Sequence, residues 1–373
     1  MSVVVVEHDL VTAYGPGLGK CWQGLLSGKP AFSRVERFNT DAFQCHIAAL
    51  VPSLNASDSS SLVMQMMRPL LNPLKGKLPA GTEVILASTT GEVDLMQRHL
   101  LGEAKADESR LELLLEKIQG LLQVRGKGLV VSAACASASV AVAHAGMLIE
   151  SGRKESVLVV ACDAVSEFVY SGFSSLMALD PEGARPFDRS RKGLTIGEAA
   201  GYVLLMGSES ARRGKRNVLC EVAGWGLSCD ANHMTGSSRD GVPLSMAIQK
   251  ALRKSGVVSG SIGSISAHGT GTPYNDSMEI KAFRLAFGKT PVPTYSVKGA
   301  IGHTMGAAAL VDMLVAIKSL DERVVPPSVN ARDIDPEAAG WVSSSAIQAS
   351  GMNAVLSTNS GFGGINTALV LKS

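Results

Sequence analysis

Cys135 lies in Ser132-Ala133-Ala134-Cys135-Ala136-Ser137-Ala138-Ser139, where a β-branched run gives way to an Ala- and Ser-rich stretch. A thiol at such a strand-to-helix junction faces unpaired backbone N–H groups and the positive end of the helix dipole. Both favour the thiolate, the nucleophilic form. A lone cysteine of this kind is more often a small buried hydrophobe, and Cys162, at the end of an apolar run, is read that way. Two histidines occupy turns of similar character: Ala267-His268-Gly269-Thr270-Gly271-Thr272-Pro273 and Lys298-Gly299-Ala300-Ile301-Gly302-His303-Thr304-Met305-Gly306. Glycines beside a histidine permit tight turns and close approach of a ligand. A single such histidine is more often structural. Two of them, together with a helix-capping cysteine, shift the balance toward nucleophilic chemistry.

Distant residues can meet only if regular elements carry them. Short apolar runs at 3–6, 84–87, 129–132, 157–161, 200–205, 262–267, 354–357 and 368–371 read as strands. Helical patterns occupy 18–26, 62–68, 108–122, 136–151, 243–255, 277–287 and 305–320, and Pro69 and Pro73 predict that the second of these is short. The alternation argues for an α/β protein. The polar run Ser-Glu-Ser-Ala-Arg-Arg-Gly-Lys-Arg-Asn at 208–217 marks a boundary between halves 1–207 and 218–373. The halves look alike. In the first, Val130-Val131-Ser132 leads through Cys135 into an Ala-rich helix; in the second, Tyr295-Ser296-Val297 leads through His303 into another. A strand ending in a polar turn follows each, which favours an internal duplication.

Composition narrows the function classes. The 373 residues are 46% hydrophobic and 18% charged, with 39 glycines, which excludes disorder, collagen and coiled coil. A net charge of +2 gives no global case for a nucleic-acid or membrane partner. The six cysteines show no metal-ligand spacing, and a disulfide framework is not expected at this size. The opening apolar run of four residues is too short for a signal-peptide core, and no eighteen-residue apolar run occurs. A reduced, soluble, cytoplasmic protein is the expectation. Tyr14-Gly15-Pro16-Gly17-Leu18-Gly19-Lys20 imitates a phosphate loop but lacks its first glycine and its Ser/Thr, so it is read as a turn before a helix.

Taken together, the segments resemble the β-ketoacyl-ACP synthases of the Cys-His-His type, the elongating condensing enzymes of fatty acid and polyketide synthesis. The likeness runs almost end to end: the Cys135 segment, Arg185-Pro186-Phe187-Asp188 with Gly193 and Gly197-Glu198, the two histidine runs, and Gly361-Phe362-Gly363-Gly364. It implies a thiolase-like fold, two similar α/β halves forming a layered αβαβα structure. It implies decarboxylative Claisen condensation of an acyl thioester on Cys135 with malonyl-ACP, with His268 and His303 lining the site. The backbone N–H groups of Cys135 and Phe362 would form an oxyanion hole. Lys298 matches the lysine of a buried Lys–Glu pair whose carboxylate here is Asp312, and Glu279 matches a further family acid. Thr270 and Thr272 match hydroxyls that bind the phosphopantetheine arm, while Leu194, Gly361 and Gly363 border the acyl site. No metal and no resident cofactor are implied, because the acyl carrier protein delivers the 4'-phosphopantetheine. The partners implied are that carrier and a second subunit, identical or related, with no nucleic acid and no membrane.

The chain departs from the family at several points. The stretches between 84 and Cys135 and before Arg185 are short. Leu194 stands where relatives usually have Phe, Asp312 where they have Glu, and Thr358-Asn359-Ser360 where they have Asn-Ser-Phe. The basic cluster that relatives often carry near 62–68 is missing until Arg68, leaving Arg189, Arg191 and Lys192 as candidate carrier-docking cations. Two alternative readings are a chain-length-factor-like partner subunit, which retention of Cys135 argues against, and a CoA-dependent thiolase, which the paired histidines argue against.

Overall fold

The computed structural model describes residues 2–52, 54–102 and 109–373. Ten strands make the main path of its central sheet: β1 (Val3–Thr12), β2 (Glu83–Ala87), β3 (Leu129–Val131), β4 (Ser156–Asp163), β5 (Ala199–Gly207), β6 (Cys220–Cys229), β7 (Ile262–Ser266), β8 (Thr294–Tyr295), β9 (Ala354–Gly361) and β10 (Ile365–Lys372). Their spatial order is β8-β7-β9-β10-β6-β1-β5-β4-β2-β3. Each half supplies five strands in one arrangement, β3-β2-β4-β5-β1 and β8-β7-β9-β10-β6. In both, the three strands nearest the edge are parallel and the next two pair antiparallel. The half-sheets join where Val4 and Val5 of β1 pair with Glu221 and Cys220 of β6.

Four helices position the site: α1 (Ser137–Glu150), α2 (Val242–Ser255), α3 (Pro273–Phe287) and α4 (Ala308–Glu322). The topologically equivalent edge strands β3 and β8 lead into α1 and α4. These two helices pack on each other and on strands from both halves, so they form the middle layer. Their sequences are apolar or small on nearly every face, as a helix enclosed between sheets requires. The helices Leu62–Leu71 and Leu111–Leu122 cover the outer face of the first half-sheet, and α2 and α3 cover the second. The layering is αβαβα, the thiolase-like α/β architecture.

The structure differs from the sequence reading in instructive places. The ten-residue β6 was not anticipated, because Gly224 and Gly226 interrupt its apolar pattern. A Cβ at these positions would lie 2.3 Å from the Ala251 carbonyl oxygen and 2.0 Å from that of Ala247, both on α2. The glycines thus let α2 lie directly on the strand. The helix expected to stop before Pro69 runs through it to Leu71. Proline removes one hydrogen bond there, and burial of Met66, Met67, Leu70 and Leu71 outweighs that loss. The polar run at 208–217, read as the boundary between the halves, opens with the short helix Ser208–Arg213. The pattern at 305–320 begins as a 3₁₀ turn, Met305–Ala307, before α4. The expected start of the 108–122 helix at residue 108 lies outside the described residues, and the helix itself runs Leu111–Leu122.

Candidate active site

Cys135 stands between β3 and α1, reached through Ala134 in the left-handed region at φ 49°. A non-glycine residue is costly there and must be held by its surroundings. Ser137 does part of this: its Oγ accepts from the Ala133 N–H at 2.8 Å and donates to the Ala134 carbonyl at 2.6 Å. On the other half, β8 leads through the short helix Lys298–Ile301 to His303. The His303 N–H donates to the Thr195 carbonyl at 2.7 Å, and its own carbonyl accepts from the Gly197 N–H at 3.0 Å. A Cβ at residue 197 would sit 2.1 Å from the Ile301 oxygen, so this close pairing needs glycine.

These two turns bring His303 Nε2 to 2.9 Å from Cys135 Sγ. The His268 and His303 rings meet edge to face, centroids 5.2 Å apart at 87°. All three residues are buried, and one ligand-type atom from each lies within 4.8 Å of the others. Met305, at φ 53°, directs its N–H onto His303 Nδ1 at 3.0 Å. Nδ1 is therefore the acceptor nitrogen, and the proton of a neutral ring resides on Nε2, facing the sulfur. The same donor argues against a metal on this trio, since a metal would need the Nε2 lone pair that the proton occupies.

His268 follows β7, and acids on α3 fix its turn. Glu279 accepts from the His268 N–H at 2.8 Å and the Gly269 N–H at 2.6 Å, while Asp276 accepts from the Thr270 N–H at 3.0 Å. Three residues apart, the two acids share one helix face. Lys298 Nζ lies 2.9 Å from Asp312 Oδ2, with side-chain exposures of 1% and 0%. This buried pair sits behind the histidines. Gly361 packs against the nucleophile turn, where a Cβ would be 3.2 Å from the Cys135 nitrogen. Phe362 follows, its ring stacked on Phe173 at 6.1 Å. Gly363 adopts φ 84° and donates its N–H to the Met234 carbonyl at 2.7 Å.

A cavity of about 450 Å³ opens over the trio, lined also by Thr270, Thr272, Leu194, Phe173, Gly361 and Phe362. The hydroxyls of Thr270 and Thr272 are 2.8 Å apart. Lys298, Asp312 and Glu279 support the cavity from behind without lining it, and Gly363 lies in the adjoining turn. Burial pushes the Cys135 thiol up to about 11, against the opposing pull of Lys298 and the N–H groups of Phe362 and Cys135. The sequence reading weighed only the helix terminus and missed this desolvation. Burial and Lys298 together take His303 down to about 3 and push His268 down as well. Burial, reinforced by Asp276, raises Glu279 to about 8.

Three supporting residues had no assigned part in the sequence reading. Asp163, at the end of β4, accepts from Ser88 Oγ at 2.7 Å and from the Gly306 N–H at 2.6 Å, tying the loop after β2 to the turn after His303. Its signal was an aspartate closing a wholly apolar run. Asp276 had the signal of its three-residue spacing to Glu279. Asn359 was visible only as a departure from the family pattern. Of the candidate docking cations, Arg191 is largely buried against Asp335, whereas Arg189 and Lys192 have side-chain exposures of 62% and 64%.

A nucleophile turn and a histidine turn at equivalent places in two matching halves define a thiolase-like acyltransferase. Family models described as "Beta-ketoacyl synthase, N-terminal domain" and "Beta-ketoacyl synthase, C-terminal domain" match residues 117–211 and 219–332. The chain is 28% identical to 3-oxoacyl-[acyl-carrier-protein] synthase 2 of Vibrio cholerae, over 99% of this chain and 98% of that protein. It is 30% identical to the "Putative polyketide beta-ketoacyl synthase 1" of Streptomyces halstedii, over 99% of this chain and 97% of that one. Among solved structures, the ishigamide ketosynthase/chain length factor superposes with a TM-score of 0.86 at 29% identity, covering 100% of this chain and 99% of the other. The chain belongs to the β-ketoacyl synthase family, and it is a condensing enzyme of the acyltransferase class.

Proposed function

We propose that the chain is a β-ketoacyl-[acyl-carrier-protein] synthase that elongates an acyl group held on Cys135, in fatty acid or polyketide biosynthesis. The observation that carries this reading is the 2.9 Å approach of His303 Nε2 to the Cys135 sulfur at the floor of the cavity. The Cys135 thiol, neutral at rest, gives up its proton to solvent as its sulfur attacks the incoming acyl thioester, the tetrahedral oxyanion collapses, and the carrier leaves as a thiolate that takes up a proton. Malonyl thioester then loses CO2, and the electron pair of the broken C–C bond becomes an enolate. Its carbon attacks the acyl-Cys135 carbonyl, and the second tetrahedral intermediate expels the Cys135 thiolate, leaving a β-ketoacyl thioester on the carrier. His303 acts as a donor here, because Nε2 already bears the proton and cannot take one from the thiol. Nε2–H stabilises the sulfur anion and then the enolate oxygen. The N–H groups of Cys135 and Phe362 serve the oxyanion of the acyl transfers.

The acyl carrier protein is the partner that brings substrate, on a 4'-phosphopantetheine arm whose amides meet Thr270 and Thr272. Lys192, at the cavity mouth, supports docking of an acidic carrier there. The working unit is a dimer, with a second copy or a related chain. The duplicated strand order supports a division into halves 1–207 and 218–373. Retention of a buried thiol within reach of two imidazoles favours this reading over a non-catalytic chain-length partner.

His303→Ala tests the proposal. Carbon dioxide release from malonyl-ACP should fall about a hundred-fold or more, the scale of losing an oxyanion donor, while acyl transfer onto Cys135 stays measurable. Unchanged CO2 release in that variant would remove His303 from the reaction.

A further inference from the structure

The buried ion pair and the nearer histidine are joined by a residue with no assigned role. Asn359, on β9 and fully buried, donates from Nδ2 to Asp312 Oδ2 at 2.7 Å, and the same nitrogen lies 3.4 Å from His268 Nδ1. Its Oδ1 accepts from Ser139 Oγ of α1 at 3.2 Å. These contacts settle which way the amide points. A carboxylate paired with Lys298 is an acceptor only, so the NH2 edge must face Asp312 and the carbonyl edge must face Ser139. The second amide proton is then aimed at His268 Nδ1, and among the described residues no other side chain makes a polar contact with that nitrogen.

We propose that Asn359 is a positioning residue that, held by Asp312, fixes His268 in the tautomer carrying its proton on Nε2. The assignment rests on the reading of His268 as a donor in the condensation site. His303 is set in the same tautomer by a different device, the Met305 backbone N–H. Two donors of like orientation would therefore face the cavity, one fixed by backbone and one by a side chain. The two departures from the family pattern also meet at this point. Asp312 is one methylene shorter than the glutamate of relatives, and Asn359 is longer than their serine. The gained length at one position fills the reach lost at the other, and the amide carries the carboxylate's influence to the ring.

The test reads the tautomer directly. In full-length protein with ¹⁵N-labelled imidazoles, long-range ¹H–¹⁵N spectra distinguish protonated from bare ring nitrogens, and His268→Ala assigns the His268 signals. Wild type should carry the His268 proton on Nε2. In Asn359→Asp, a carboxylate replaces the amide donor, and His268 should gain a proton on Nδ1. Malonyl-ACP decarboxylation should fall about ten-fold or more, with acyl transfer to Cys135 changed by less than about three-fold. Asn359→Ser, whose shorter hydroxyl falls short of His268 Nδ1 and adds no charge, should give mixed tautomers and an intermediate rate, and it serves if the aspartate variant does not fold. A His268 proton on Nδ1 in wild type, or an unchanged tautomer in both variants, would overturn the inference. A tautomer that responds as expected in a protein that neither loads nor decarboxylates would uphold it and sink the condensation reading instead.

Discussion

Cys135 is held between opposing influences, and their balance can be measured. Burial raises the thiol pKa to about 11, while Lys298 and the N–H groups of Phe362 and Cys135 lower it. Below that value the thiol is neutral, so alkylation by iodoacetamide should quicken steadily from pH 7 to 10 without a plateau. Lys298→Met removes the largest of the stabilising influences and should slow labelling at pH 8 about ten-fold, the effect of a one-unit rise. Faster labelling would mean that Lys298 does not act on the sulfur. The imidazoles titrate in the opposite sense. His303 is pushed down to about 3 from 6.5, so its ring is neutral through the physiological range, and burial lowers His268 in the same sense. The unfolded chain binds more protons than the folded one between pH 6.5 and 3, so His303 makes stability fall as pH drops through that window. The residue types of the trio were legible in sequence, because glycine-flanked histidines and a helix-capping cysteine are local patterns. The rise in the thiol pKa was not, because desolvation comes from the surrounding fold.

At the scale of elements, the catalytic turns are shaped by helices that do not enter the cavity. Glu279 and Asp276 on α3 accept the backbone N–H groups of residues 268–271. Ionised above its raised pKa of about 8, where the test is run, glutamate offers two acceptor oxygens to the His268 and Gly269 N–H groups, whereas glutamine offers one and turns a donor toward the other. Glu279→Gln should therefore leave a buried N–H unpaired, cost about 1–3 kcal/mol in denaturant unfolding, and reduce condensation with it. An unaltered unfolding midpoint would show that this cradle is slack. Glu279 is buried completely. Periodicity could not reveal this, since α3 has buried residues on most of its circumference. The same blindness hid β6. Its glycines look like a loop in sequence and mark a helix lying on a strand in space.

At the scale of the molecule, the site exists because two halves with one strand order meet across α1 and α4. The nucleophile and His303 occupy equivalent positions in those halves, and the family resemblance anticipated this arrangement. The sequence did not reveal how closely the layers approach. Gly226→Ala would place a Cβ 2.0 Å from the Ala247 oxygen, and neither backbone can yield without parting α2 from β6. The expected cost is about 1–3 kcal/mol or more, read as a lower Tm. An unchanged Tm would mean that the second half-sheet tolerates a wider gap than its packing implies.

The account rests on Cys135 carrying the growing chain. Intact-mass and peptide mass spectrometry after incubation with a mixed acyl-ACP pool tests that most directly. A single acyl adduct on the Cys135 peptide, lost in Cys135→Ala together with condensation, is the predicted result. An adduct on another residue, or full condensation by the alanine variant, would contradict it.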